Sequence, residues 1–193
     1  QICEDRAWDH IQDTGWKSDG LIYHGLLSLR NETSCSTLKA ICDRSTAKRF
    51  FDVNLRPPYD SMDSIEPWLY NVDWLKLNLD ELGKLTGNTV SFEDCNDSAD
   101  TLLKTYNVQN ILLTAGSQGA HIIGAVGSAT LGPAPTPNPF VDTVGAGDSF
   151  AAFTIHGILE GLSLDAIISR ASQFASKVCG IQGATTTENS FYQ

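Results

Sequence analysis

The densest cluster of residues able to do chemistry is Asp142-Thr-Val-Gly-Ala-Gly-Asp-Ser-Phe150. Small residues at 145–147 let a ligand come close to the backbone. The stretch after them has helical character. The unpaired N–H groups and positive dipole end of such a helix favour an anion. Asp148 falls in the first turn. A carboxylate beside an anion cradle is the layout that phosphoryl transfer needs: the cradle holds the transferred group and the carboxylate takes the hydroxyl proton. Taken alone, a Gly-x-Gly can equally be a simple turn and Asp148 a helix cap. Two common nucleotide motifs are excluded. The dinucleotide fingerprint would need glycine where Phe150 stands, and no GxxxxGK[ST] loop occurs in the chain.

These residues need a frame, and the hydrophobic pattern predicts one. Strand-like runs are expected at Gly20–His24, Arg49–Val53, Trp74–Leu77 and Ile111–Thr114, with a β pair at His121–Ile123 and Ala129–Leu131. Helical spacing is expected over Thr33–Arg44, Asn78–Leu85, Phe92–Tyr106, Gly145–Glu160 and Leu164–Gly180. Alternating strands and helices predict an α/β fold: a doubly wound, mostly parallel sheet with helices on both faces. Ligands of such sheets bind outside the carboxyl ends of the strands. That rule singles out Asn54, Asn78, Thr114–Gly119 and Asp142–Asp148. The Pro-rich segment Gly132–Pro139 is expected to cross the surface.

Asp142–Phe150 resembles the DTxGAGDxF signature of the ribokinase-like (PfkB) carbohydrate kinases, and other stations follow in order. Asn78-Leu-Asp-Glu81 resembles the family's NxxE motif, and Thr114-Ala-Gly-Ser-Gln-Gly119 its TxGxxG segment. Gly183-Ala184 resembles its Gly-Ala pair near the adenine, and Phe51–Pro58 the DxNLRxxL stretch of fructokinase-like members. The resemblance implies an ATP-dependent sugar kinase, a phosphotransferase with an alcohol acceptor. It implies Asp148 as catalytic base and Gly145, Ala146 and Gly147 as the anion hole. Asn78 and Glu81 would orient Mg²⁺ and the phosphates, largely through water. Thr114, Gly116, Gly119, Gly183 and Ala184 would bind the nucleotide, and Asn54 and Arg56 would face the acceptor. Asp142, with nearby carbonyls, would match the family's K⁺ site, although Thr185-Thr-Thr187 stands where relatives often place a proline. For Asn78 and Glu81 the alternative is a plain helix cap and a solvated helix residue. For Thr114 and Gly116 it is a strand-ending turn, for Asp142 a loop acid, and for Arg56 a surface ion pair.

No stretch resembles the family's Gly-Gly sugar motif or its β lid. Residues 1–193 are therefore expected to be a single nucleotide-binding domain, incomplete at the N-terminus, with most acceptor contacts elsewhere. Gln1–Asp5 carry no cap or turn that would begin a fold. The resemblance allows a homodimer in the complete protein. Fructose or a related ketose is the expected acceptor. The alternatives are 2-keto-3-deoxygluconate, ribose or a nucleoside, and, in a different class, a catalytically silent nucleotide-binding fragment.

Composition limits the partners. The 193 residues carry a formal charge of −10, which repels phosphate backbones and argues against nucleic acid. No apolar run reaches a membrane span and no signal peptide opens the chain. Five scattered cysteines with no CxxC pair argue against zinc or a disulfide framework and for a cytoplasmic protein. His10, His24, His121 and His156 form no ligand pattern. Trp8, Trp16, Trp68 and Trp74 are expected in the core rather than stacked on a ligand.

Overall fold

The computed structural model describes residues 20–133 and 136–192. Cys3, Trp8, His10 and Trp16, and the expectations attached to them, lie outside that range. Four parallel strands follow in order: β1 Leu21–Gly25, β2 Lys48–Asp52, β3 Trp74–Asn78 and β4 Asn110–Thr114. An antiparallel hairpin, β5 Ala120–Gly124 and β6 Gly127–Leu131, extends the sheet beside β4. Spatial order equals chain order, β1-β2-β3-β4-β5-β6.

Helices α1 Glu32–Arg44, α2 Met62–Leu69, α3 Leu79–Thr86 and α4 Asn96–Tyr106 lie between the parallel strands. With the strands advancing in one direction, right-handed crossovers put all four on one face. There Leu38, Ile65, Leu82 and Leu102 pack on Phe51, Leu75 and Ile111. The opposite face receives α5 Ala146–Leu159 and α6 Leu164–Val178, where Phe150 and Ile167 cover Phe50, Trp74 and Leu112. Each fully buried side chain of this kind is worth about 1.5–3 kcal/mol over an exposed one. Helices therefore do cover both faces, as expected. Burial on both sides explains why Trp74–Leu77 and Ile111–Leu113 read as unbroken apolar runs save for Lys76, whose position matters below.

Two details differ from the sequence reading. Helix α2 had no counterpart in it. Ile65, Trp68 and Leu69 have the right spacing, but Pro67 lies inside the helix and masks it. Proline removes one backbone donor, and burial of three large side chains at this one face outweighs that loss. Helix α4 starts at Asn96 rather than at Phe92. Phe92 instead packs against the His121 ring at 4.2 Å and its carbonyl faces His121 Nε2 at 3.1 Å, which holds it out of a helix. Trp68 and Trp74 are core residues, as expected.

Candidate active site

The carboxyl ends of β1–β4 form one edge of the sheet, and the predicted residues gather there. Helix α5 points its N-terminus into that edge. Gly145 is its N-cap, with φ of +80°, and Asp148 sits in its first turn. Ala146 N donates to Thr143 O at 3.2 Å and Ser149 N to Gly145 O at 2.8 Å. Among the described residues, the Gly147 and Asp148 N–H groups between them have no backbone acceptor. These are the two donors a phosphate oxygen would meet.

Gly145 is required twice over. Its φ disfavours any side chain, and a Cβ there would lie 2.5 Å from Ala184 Cβ. The close approach brings Gly183 and Ala184 to the cradle although they are far away in sequence. Asp142 fixes the same junction: Oδ1 accepts from Val144 N at 2.8 Å and Oδ2 from Gly183 N at 3.2 Å. Both readings of Asp142 are thus constrained, since a cation there would share a carboxylate already bonded to two backbone donors.

At the end of β3, Asn78 and Glu81 form a reciprocal capping box. Asn78 Oδ1 accepts from Glu81 N at 2.9 Å, and Glu81 Oε2 accepts from Asn78 N at 2.8 Å. The remaining oxygen, Glu81 Oε1, accepts from Leu55 N at 2.9 Å. Glu81 is buried rather than solvated, and it ties the loop carrying Asn54 and Arg56 to α3. Asn54 holds a φ of +40° in that loop, while Arg56 is exposed, with Nη1 donating to Leu55 O at 3.0 Å. The loop is brought to the site edge, but nothing aims the Arg56 guanidinium at Asp148.

Thr114 closes β4, with its hydroxyl 3.5 Å from Leu77 O. The turn that follows, through Gly116 and Gly119, forms one wall of a cavity of about 440 Å³. Thr143, Ala146 and Gly147 form its cradle end, and Phe140 and Ser172 also line it. The cavity thus joins Thr114, Gly116 and Gly119 to the α5 N-terminus, as a nucleotide site would require.

Residues 12–190 match the pfkB family of carbohydrate kinases. The chain belongs to that family. Among curated proteins this pfkB-family chain is similar to ketohexokinase of Mus musculus, 38% identical over 66 residues, which are 34% of this chain and 22% of that protein. It is also similar to 1-phosphofructokinase of Haemophilus influenzae, 34% identical over 98 residues, 51% of this chain and 29% of that one. Among solved structures, fructokinase from Vibrio cholerae O395, determined with fructose, ADP and calcium ion, superposes with a TM-score of 0.69 at 21% identity. The match covers 92% of this chain and 61% of that chain. The two curated relatives are matched over less than a third of their length. The ribokinase-like fold is thereby established. Among the described residues no helix is long and apolar enough to cross a membrane.

One cluster at this edge of the sheet was not singled out from sequence. Beneath the cradle, Lys76 Nζ donates to both oxygens of Asp52 at 2.9 Å. The Tyr23 hydroxyl donates to Asp52 Oδ2 at 3.3 Å. Lys76 and Asp52 are buried, and the position a Gly147 Cβ would take lies 3.4 Å from Lys76 Nζ. Burial pushes the Asp52 carboxyl above its usual range, and the Lys76 ammonium opposes that shift. Burial, then the charges of Asp52 and Asp148, hold the Tyr23 phenol well above its usual range, so it stays a neutral donor. The available signal was a lysine inside an apolar strand run, which requires a buried partner.

Proposed function

We propose that this chain carries the nucleotide site and catalytic base of a sugar kinase, which moves the γ-phosphate of ATP onto a sugar hydroxyl. The observation that carries the reading is the join between the cavity and the α5 N-terminus, with Asp148 one residue beyond Gly147. The cavity suits a nucleoside, having mostly apolar walls. The Gly147 and Asp148 N–H groups suit a terminal phosphate. Asp148 accepts the proton as the sugar oxygen bonds to phosphorus and the bond to the ADP oxygen breaks. Proton, phosphoryl group and leaving group are then all accounted for.

Asn78 and Glu81 are the residues that would hold Mg²⁺. Both Glu81 oxygens already accept backbone N–H bonds, which fits a metal reached through water rather than direct ligation. When bound, Mg²⁺ neutralises charge on the phosphates. K⁺ at Asp142 would draw mainly on backbone carbonyls, and it would stiffen the turn that presents Gly145. Asn54 and Arg56 stand on the acceptor side. The likeness of Phe51–Pro58 to fructokinase-like members favours fructose or a related ketose.

The test is Asp148→Asn in the complete protein, assayed with MgATP and a panel of sugars by coupled ADP release. Turnover should fall by roughly 10²–10⁴, the worth of a positioned general base. Nucleotide affinity, read by calorimetry, should change far less. Near-wild-type turnover would remove Asp148 from the mechanism.

A further inference from the structure

We propose that Asp52 and Tyr23 are positioning residues for phosphoryl transfer, acting through Lys76, whose ammonium they hold against the underside of the Gly145–Gly147 cradle. The inference rests on the phosphoryl-transfer reading above and adds residues to it.

The starting point is an ion pair in an improbable place. On the face of the sheet covered by α5 and α6, Phe50, Trp74, Leu112, Ala120 and Ile122 form a buried apolar cluster. Asp52 and Lys76 share that face one step nearer the carboxyl edge, because they follow Phe50 and Trp74 by two residues. They are opposite each other in the parallel register of β2 and β3. An apolar pair would fill that position as well, and burying two charges gains little stability on its own. Some other property must account for the charges, and their location supplies it.

Lys76 reaches up from β3 until its ammonium lies 3.4 Å from the position at which a Gly147 side chain would begin. No side chain separates the ammonium from the cradle backbone. Carboxylates crowd this edge: Asp148 and Glu81 both act on Asp52 electrostatically, and the whole chain carries −10. Such surroundings would repel a triphosphate. The ammonium is the end of the ion pair that lies against Gly147, so the pair presents its positive pole behind the N–H groups at the one point where phosphoryl oxygens arrive. Because it is buried, that charge acts at low dielectric and needs no reorganisation during reaction.

Asp52 and Tyr23 keep it there. Both Asp52 oxygens bond the ammonium, and the Tyr23 hydroxyl shares Oδ2. Tyr23 stands half-exposed on the outermost described strand and supports the carboxylate from the side away from Lys76. The ammonium is a mobile group on a four-carbon stem. Without its bidentate anchor it would leave the underside of Gly147. Neither Asp52 nor Tyr23 needs to touch the nucleotide or the sugar.

The experiment is a double-mutant cycle in the complete protein: Lys76→Met, Asp52→Asn, the pair combined, and Tyr23→Phe. Turnover is measured per folded molecule with MgATP and the sugar selected by the panel. Lys76→Met and Asp52→Asn should each lower kcat by about 10–100-fold, at the low end of the loss seen when a preorganised electrostatic contact is removed. KM for MgATP should move less than about 3-fold, since the contact matters most as charge shifts in the transition state. The combined variant should be no slower than Lys76→Met alone, because the residues act as one unit. Asp52→Asn leaves an unpaired buried ammonium and is the variant most at risk of unfolding. The combined variant removes both charges of the pair, and Tyr23→Phe loses only one hydroxyl, so both keep the test open. Tyr23→Phe should lower kcat by about 3-fold, in line with one long hydrogen bond. A combined variant that turns over like wild type, or losses confined to thermal stability, overturns the proposal. Asp148→Asn run alongside separates the two readings. If that variant turns over like wild type, Asp148 leaves the mechanism, and if wild type releases no ADP with any sugar, the phosphoryl-transfer reading itself fails. If Asp148→Asn is inactive while the combined variant is normal, only the positioning role fails.

Discussion

Gly145→Ala should damage both stability and turnover, and the structure sets the size of each. Two costs add. The first is conformational: at φ of +80° a side chain costs about 1–2 kcal/mol. The second is steric. The new Cβ would lie 2.5 Å from Ala184 Cβ and 2.7 Å from Ala184 Cα. Ordinary contact begins near 3.4 Å, so the 183–184 segment or the α5 N-terminus must retreat by just under ~1 Å, a forced overpacking worth about 1–3 kcal/mol. Gly161 supplies the matched control. Its φ is +67°, with no atom of the described residues within 4 Å of its Cβ position, so Gly161→Ala bears the first cost alone. A domain of this size loses roughly 2–4 °C of Tm per kcal/mol. Gly145→Ala should therefore melt about 2–12 °C below Gly161→Ala. The same retreat disturbs the geometry of the cradle, and misplacement on that scale can cost about 100-fold in turnover. Thermal denaturation and a coupled kinase assay on the two variants make the test. Equal melting temperatures would mean that the Ala184 contact is absent. Equal turnover would mean that the cradle is not where phosphate binds.

Acid should destabilise the fold through His24, whose ring is buried with neither nitrogen hydrogen-bonded among the described residues and whose pKa is lowered to about 3 by burial, with Arg49 adding to the shift. The unfolded chain takes up the proton from near pH 6.5 downward and the folded chain does not. Stability is therefore fully present above about pH 6.5 and falls by up to roughly 1.4 kcal/mol per unit toward pH 3; urea midpoints at pH 7, 6 and 5 should drop less steeply in His24→Phe, and parallel slopes would refute the assignment. Glu81→Gln keeps the size but turns one acceptor into a donor facing Leu55 N or Asn78 N, so stability should fall by about 1–3 kcal/mol and half-saturation with Mg²⁺ should rise; an unchanged Mg²⁺ titration would detach Glu81 from the metal. Asp142→Ala should loosen the turn that joins Val144 to Gly183 and abolish any response of turnover to K⁺, and a K⁺ response that survives it would place the cation elsewhere.

The local parts of this site were legible in the sequence for a physical reason. Gly145–Asp148 make a turn and a helix start within a few residues, and Asn78 and Glu81 close a capping box three residues apart, so their chemistry depends on the chain's own next turn. The strands were legible because burial on both faces leaves continuous apolar runs, and their alternation with helices implied a sheet edge where loops would meet. Local pattern failed wherever two signals conflicted. Pro67 hid α2, and Phe92 was drawn into the wrong element because its partner His121 lies on a distant strand. Tertiary structure alone decided the rest. Tyr23, Asp52 and Lys76 lie 29 and 24 residues apart along the chain, and only the parallel register of β1, β2 and β3 stacks them on one face under Gly147. Likewise, only packing brings Ala184 against Gly145 and Leu55 against Glu81. Spacing in sequence can specify a helix cap, but a buried charge must find its counter-ion across the sheet, and strand order and register determine which residue that is.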